Sequence, residues 1–343
     1  MHKIKIAIHE SKGSFSDRWI EYCAQNNIPF KIINCYDSDI VEQLKDCNAL
    51  MWHHHHEIYK DALFAKQLLF SLEKTGMKVF PDFNTGWHFD DKVGQKYLLE
   101  AIGAPLVPSY VFYTKKEALK WIEETAFPKV FKLRGGAGAA NVKLVHNKEQ
   151  AKKLVKKAFG DGFSQFDRLG FLKERVRKVK EGKGSYIDIL KGFARLLLPI
   201  EFAKMHGREK GYIYFQKFIP HNNFDIRVIV IDDKAFAIKR MTRENDFRAS
   251  GSGKILYEKK HIDERCVEIS FEINKVLQSQ SIAYDFVFDE KNNPLIVEIS
   301  YGFAAKPYDF CPGYWTSDLE WHEEKFNPQV WMVQDIINKI EHD

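Results

Sequence analysis

Residues 127–145, FPKVFKLRGGAGAANVKLV, place a lysine at the end of a short apolar strand, three glycines in the turn after it and a second strand beyond. That order excludes two familiar phosphate loops, since it contains neither G-x-x-x-x-G-K-[ST] nor a strand-to-helix G-x-G-x-x-G. Glycine admits positive φ and lets backbone N–H groups approach an anion, and a strand-borne lysine reaches phosphate oxygens as a point charge. From the residues alone the segment is either a tight hairpin turn or a flap over a polyphosphate.

What surrounds it predicts a mixed α/β (α+β) chain. Residues 3–8, 30–34 and 48–53 read as strands separated by helices at 16–26 and 39–46, the alternation of a small parallel layer. A helix over 57–74, a strand at Lys78–Phe80 and the turn-rich PDFNTGWHFDDK lead to an amphipathic helix near 91–102, and Pro81, Gly86, Gly103, Pro105 and Pro108 punctuate a domain edge. From 110 the order is strand, helix (115–124), strand, glycine turn, strand and helix (148–159). A charge-rich stretch follows, read as a mostly helical insertion over 160–210. Then come the β-rich runs IYFQKFI, FDIRVIVI and KAFAIKRM, a helix at 263–279, and the paired runs IAYDFVFD and PLIVEIS. The 343 residues suit two to three domains. We expect an N-terminal part over 1–108, a glycine-loop part over 109–214 that carries the insertion, and a C-terminal part over 215–343.

Charge and cysteine content narrow the function. The 52 Lys and Arg against 47 Asp and Glu leave a net charge of +5, without the dense basic stripe of a nucleic-acid binder. Anionic small molecules are the better-matched partners. Cys23, Cys35, Cys47, Cys266 and Cys311 are scattered and never form C-x-x-C, which predicts neither a disulfide framework nor a zinc site and suits a reducing cytoplasm. The sequence shows no apolar signal core and no run near the ~18 apolar residues of a bilayer span.

A second cluster of chemistry is Asp285, Glu298 and Ser300. A hairpin would set Asp285 near Glu298, and Glu298 and Ser300 share a strand face. Two carboxylates on one face can hold Mg²⁺, which takes one or two carboxylates plus phosphates; the alternative is a surface pair at hairpin ends. The charges Asp225–Arg227, Lys239–Arg240 and Arg243–Arg248 lie on and after otherwise apolar strands, as solvated strand faces or as parts of a site.

Taken in order, these segments resemble the ATP-grasp superfamily, in the branch of the ribosomal-protein glutamate ligases. FDDKVGQKYLLEAIGAPLVPSY is similar to its D-K, helix, G-h-P-x-P-x-T entry, and FPKVFKLRGGAGAANVKLV to its h-P-h-h-x-K-P and glycine loop. IYFQKFIPHNNFDIRVIVIDDKAFAIKRMTRENDFRASGSG is similar to Q-E-F-I, D-h-R-V, K-R and D-F-R-x-N-x-x-x-G, and IAYDFVFDEKNNPLIVEIS to D-h, thirteen residues, E-x-N. The match runs over about residues 90–303. It implies an ATP-grasp fold with a Rossmann-like N-terminal domain, a glycine-loop lid subdomain and a C-terminal antiparallel-sheet subdomain, with ATP and Mg²⁺ as cofactors. By position, Lys92 and Lys132 would contact phosphates, and Gly135, Gly136, Ala137 and Gly138 would form the lid. Gln216, Lys217, Phe218 and Ile219 would be the hinge, holding adenine through the backbone groups of Lys217 and Ile219. Asp225 would sit by the ribose and Lys239 near the terminal phosphates. Arg240 and Arg248 would flank the reacting carboxylate, and Asp285, Glu298 and Ser300 would face the metal. The chain departs from the pattern at Leu133 and Arg134 after Lys132, at Lys217 in the hinge, at Ser250, and at Ser300 where the family has asparagine.

The chemistry this implies is in-line transfer of the γ-phosphoryl group to a carboxylate, giving an acyl phosphate that an amine attacks. The expected partners are a small carboxylate and an amine, a uronic acid or an amino acid, in a cytoplasmic enzyme. Rival readings are a phosphoryl transferase acting on a hydroxyl and a nucleotide-binding scaffold without turnover. The run His53–His56 reads as a polar loop or as a substrate or metal contact, since extended histidines alternate faces. The basic stretch 173–184 is a solvated helix or an acceptor site. The tail YGFAAKPYDFCPGYWTSDLEWHEEKF is aromatic packing against the body, or a stacking surface for sugar rings or a dimer contact. It resembles ATP-grasp proteins of surface-polysaccharide biosynthesis.

Overall fold

The computed structural model describes residues 4–135, 141–164, 179, 207–242 and 253–342. Gly136, Ala137, Gly138, Arg248 and Ser250, the basic stretch 173–184 but for Val179, and nearly all of the expected insertion lie outside them. The chain divides into two compact units. One comprises Met1–Phe89, Leu98–Pro105 and His221–Asp343, and the other Asp90–Tyr97 and Leu106–Pro220.

In the first unit, β1 (Ile6–His9), β2 (Phe30–Ile33), β3 (Ala49–Met51) and β4 (Lys78–Phe80) form a parallel sheet in the order β2-β1-β3-β4. Between them run α1 (Phe15–Gln25), α2 (Ile40–Gln43) and α3 (Tyr59–Glu73). All four residues of β1 are buried, as a parallel strand covered on both faces requires. Ser14 starts α1 by accepting the Ser16 N–H, and Phe15, Trp19 and Cys23, four residues apart, form its buried stripe. The turn-rich segment holds a one-turn helix, α4 (Phe83–Gly86), capped by the Asp82 carboxylate, and α5 (Lys92–Ala101) follows.

The second unit contains β5 (Ser109–Phe112), α6 (Lys115–Glu124), β6 (Lys129–Lys132), β7 (Lys143–Val145), α7 (Lys148–Ala158), β8 (Phe163–Ser164), β9 (Arg208–Glu209) and β10 (Ile213–Lys217). Strands β5-β10-β6-β7 pair antiparallel in that order, and β8 pairs with β9. Phe131, Leu133, Ile213 and Phe215 pack with Ala118, Ile122, Ala151 and Val155 of α6 and α7. By alternation Lys132, Tyr214 and Gln216 occupy the opposite face.

The remainder of the first unit is a seven-stranded sheet. It is built from β11 (Phe224–Ile231), β12 (Lys234–Met241), β13 (Ile255–Leu256), β14 (Ser281–Phe288), β15 (Pro294–Ser300), β16 (Tyr314–Thr316) and β17 (Trp321–His322), with α8 (Glu264–Leu277) and α9 (Pro328–Glu341). The order is β15-β14-β11-β12-β16-β17, and β13 also pairs with β12. Ile229, Ile231, Phe236, Ile238 and Ala283 turn one face into a core shared with Phe15, Trp19 and Met332. The aromatic tail enters that core: Tyr301, Phe303, Tyr308 and Tyr314 are buried in it, and part of the tail continues as the β16–β17 hairpin. No helix among the described residues is long and apolar enough to cross a membrane.

Candidate active site

Five charged residues of the seven-stranded sheet collect at one end of one face. Register places Asp225 opposite Arg240, Arg227 opposite Asp285, and Asp285 opposite Glu298. All five project to the same side because their positions differ by two along a strand or are direct cross-strand partners. The ladder shifts between Asp285 and Phe286, whose partners are Glu298 and Ile296, so Val297 is the extra residue of a β-bulge. Such bulges re-aim side chains next to functional sites. Without it, Glu298 would not remain opposite Asp285 while Pro294 still pairs with Phe288.

Four of these side chains form a charge-balanced network. Arg240 donates to both oxygens of Asp225, at 2.7 and 2.6 Å, and reaches Asp285 at 3.0 Å. Arg227 donates to the two oxygens of Asp285 at 2.5 and 2.6 Å. The four side chains are only 12–22% exposed. Burial pushes the Asp285 carboxyl up, but the guanidiniums of Arg227 and Arg240 outweigh it and hold the group well below the usual carboxylate range. Removing one member would strand a buried charge, at a cost of about 3–5 kcal/mol. Glu298 is half-buried, and the Ser300 hydroxyl, on the same face, donates to the Gly302 carbonyl at 2.9 Å.

Lys239 is not brought to that face. Neighbouring residues on a strand point to opposite sides, and the Lys239 ammonium lies 3.6 Å from the centroid of Phe224 on the reverse side.

In the second unit the sheet face turned away from α6 and α7 carries a different set. Lys132 ends β6 opposite Tyr214 and is 6% exposed. Beside it the Tyr214 hydroxyl and the Gln216 amide donate to Ser109 Oγ, at 2.8 and 3.2 Å, and Ser109 donates to the Val107 carbonyl. The Lys92 N–H donates to the Arg134 carbonyl at 2.9 Å, which ties the start of α5 to the turn that opens at Gly135. Lys217 N–H is committed to the Pro108 carbonyl at 2.8 Å, so it is not available to a ligand; Phe218 and Ile219 follow, half-buried.

The donor set of the first unit fits a hard divalent ion. Asp285, Glu298 and Ser300 supply oxygen only, as Mg²⁺ prefers. Among the described residues no group of three or more His, Cys, Asp or Glu side chains is arranged to hold a metal. Two carboxylates complemented by phosphates is the coordination that Mg²⁺ uses with nucleotides.

The histidine run lies in a loop, whose first half is buried. His53 and His54 are buried: the His53 ring stacks on Phe15 at 3.7 Å and accepts the Phe15 N–H through Nδ1, while His54 packs on Phe89 and Tyr301. Asp61 fastens the loop by accepting the Tyr36 hydroxyl and the His55 N–H. A cavity of about 550 Å³ also lies in the first unit, lined by residues that include Asp82, Asp232, Ser279 and Asp335. It is at the far end of β11 from Asp225, about 20 Å along the strand at the usual rise, and belongs to a different part of the sheet.

Comparisons with known proteins bear on the fold. Residues 203–306 match the RimK-like ATP-grasp domain, and residues 91–182 match the ATP-binding domain of the carbamoyl-phosphate synthase L chain. A D-alanine–D-alanine ligase from Bacillus anthracis complexed with ATP superposes with a TM-score of 0.57 at 12% identity, covering 99% of this chain and 98% of that one. A RimK domain ATP-grasp protein from Sphaerobacter thermophilus gives 0.55 at 13% identity, with 97% and 99% coverage. A D-cycloserine synthetase gives 0.57 at 13% identity, with 98% and 99% coverage. No curated protein matches the chain in sequence.

The chain has the ATP-grasp fold. Within that ATP-grasp framework Lys92, Lys132, Gly135 and Gln216–Ile219 lie in the second unit, and Asp225, Arg240, Asp285, Glu298 and Ser300 share one sheet face of the first. The sequence places Arg227 in a row of strand charges without giving it a role, and it does not bring out the Ser109 hub. The signal for Arg227 was present in FDIRVIVI, where two opposite charges two residues apart interrupt an apolar strand and must share a face.

Proposed function

We propose that this protein is an ATP- and Mg²⁺-dependent carboxylate–amine ligase. The observation that carries the reading is the cross-strand pair Asp285 and Glu298, on one face with Arg240, in a chain whose second unit presents a buried strand-end lysine beside a glycine turn. Relatives in fold include a ligase complexed with ATP and a synthetase, which suits the same chemistry.

The assignment of roles follows from charge. Lys132 and Lys92 neutralise phosphate oxygens, and the Gln216–Ile219 backbone holds the adenine edge. Asp285 and Glu298 hold the metal, which when bound would draw charge from the β- and γ-phosphates. Ser300 is a shorter and weaker ligand than an amide oxygen, which suits a single well-held ion. Arg240, kept extended by Asp225, orients the substrate carboxylate for in-line attack. Its oxygen forms a bond to the γ-phosphorus as the bond to the β-phosphate oxygen breaks, releasing ADP. The amine then attacks the acyl carbon and phosphate leaves. Positioning and charge neutralisation carry the rate, and no side-chain nucleophile is required. The substrate classes proposed are an amino acid and a uronic acid, the latter in cell-surface polysaccharide assembly.

Trapping separates this reading from its rivals. With ATP, Mg²⁺, hydroxylamine and a panel of amino and uronic acids, the expected outcome is ADP together with a hydroxamate on at least one acid. ADP with a phosphorylated hydroxyl and no hydroxamate would assign a phosphoryl transferase instead, and ATP binding without ADP across the panel would assign a scaffold.

A further inference from the structure

The Asp285 carboxylate is already engaged. Arg227 takes one oxygen through Nε at 2.5 Å and the other through Nη2 at 2.6 Å, the forked geometry in which guanidinium and carboxylate bind most strongly. Arg240 adds a third donor at 3.0 Å. A carboxylate offers about four lone-pair positions, so little of this one is left for a cation.

The two arginines are not equivalent. Arg240 is anchored by its own fork on Asp225 and touches Asp285 with one nitrogen, so it can stay in place when Asp285 changes partner. Arg227 has its fork on Asp285 itself. An ion arriving at Asp285 must share an oxygen with that fork or displace it. It must also sit close to a buried guanidinium of like charge, where little solvent screens the repulsion. A nucleotide that brings phosphate charge with the ion offsets that repulsion; a bare ion does not.

We infer that Arg227 is a positioning residue that gates the metal: it closes Asp285 to a bare divalent cation and yields an oxygen only when the ion arrives with phosphate. The site therefore loads metal and nucleotide together, and metal alone binds poorly. This rests on the ligase reading through one assignment, Asp285 as metal ligand.

The test is binding of Mn²⁺ to the nucleotide-free full-length chain, followed by the electron paramagnetic resonance signal of the free ion and repeated with ADP. Arg227→Gln should tighten nucleotide-free binding by about tenfold or more, which corresponds to about 1.4 kcal/mol, and should narrow the difference made by ADP. Arg227→Lys keeps a charge without the fork and should fall between. If Arg227→Gln does not fold, as judged by circular dichroism, Arg227→Lys carries the test, and affinity equal to or weaker than wild type overturns the gate. Adding Asp285→Asn to Arg227→Gln should erase the gain. A gain that survives it puts the ion elsewhere and overturns the metal assignment together with the gate. No gain from Arg227→Gln, with loss of binding in Asp285→Asn alone, overturns the gate and leaves the metal assignment standing.

Discussion

Lys132→Met is expected to leave the second unit folded and to lower ATP turnover by roughly 10²–10³-fold, the usual consequence of removing one group that stabilises charge developing in the transition state. Methionine is unbranched, nearly matches the lysine stem in length and fits a buried strand position, so packing around Tyr214 should persist. What disappears is the charge. The control lies three residues earlier on the same strand. Lys129 faces the helices, with its ammonium 5.6 Å from the Tyr110 ring and 5.9 Å from Trp121, and burial followed by the neighbouring Lys217 charge lowers its pKa. Lys129→Met should therefore change the melting temperature slightly and turnover little. ADP release measured beside thermal melts distinguishes the two. Turnover in Lys132→Met within a few-fold of wild type would remove Lys132 from the nucleotide site and weaken the ligase reading with it.

The contrast between those lysines shows what the sequence could reveal. Strand alternation and hairpin pairing depend on nearest neighbours, so β12 and β15 coincide with the runs KAFAIKRM and PLIVEIS, and Asp285 meets Glu298 as a hairpin of that length requires. The same alternation separates Lys239 from Arg240, a consequence that motif matching hides because it treats adjacent residues as one unit. Other features depend on partners far away in the chain. The fork of Arg227 on Asp285 spans 58 residues, and although FDIRVIVI shows that Arg227 shares a face with Asp225, it does not say which distant carboxylate it grips. The β16–β17 hairpin is a pair of very short strands among glycine, proline and aromatic residues, where the apolar pattern has too few repeats to read. Val297 looks like any strand residue, and only the pairing of its neighbours reveals a bulge. The burial of the histidine loop is hidden for a related reason: polarity predicts exposure on average, while Phe15, Phe89 and Tyr301 arrive from three distant segments to cover His53 and His54.

That burial sets how the protein should respond to acid. His53 is held down to about 3, by burial first and then by His55 and His56; His88 is held down to about 4, by burial and then Lys66; and His54, whose Nε2 is buried without a hydrogen-bond partner, is driven well below its ordinary value by burial and then Lys66. Each folded-state pKa is depressed below the unfolded value near 6.5. Between about pH 6.5 and 4 the unfolded chain therefore binds protons that the native chain refuses, so stability is complete above pH 6.5 and is lost as pH falls through that window. Burial lowers His9 as well, so four protons at about 1.4 kcal/mol each per pH unit set an upper limit of ~6 kcal/mol per unit. The carboxyls of Asp61, Asp82, Asp232 and Asp335, raised by burial, act in the opposite sense above the ordinary carboxylate range and pull the slope below that limit. The net expectation is a melting temperature that is level between pH 7.5 and 6.5 and falls steeply towards pH 5. His88→Phe, which removes one of the four sites, should flatten that fall by roughly a quarter whatever it does to stability at pH 7.5. A melting temperature unchanged between pH 7.5 and 5 in the wild-type protein would mean that these rings are hydrated or already paired in solution, and that the core around β3 is looser than its packing implies.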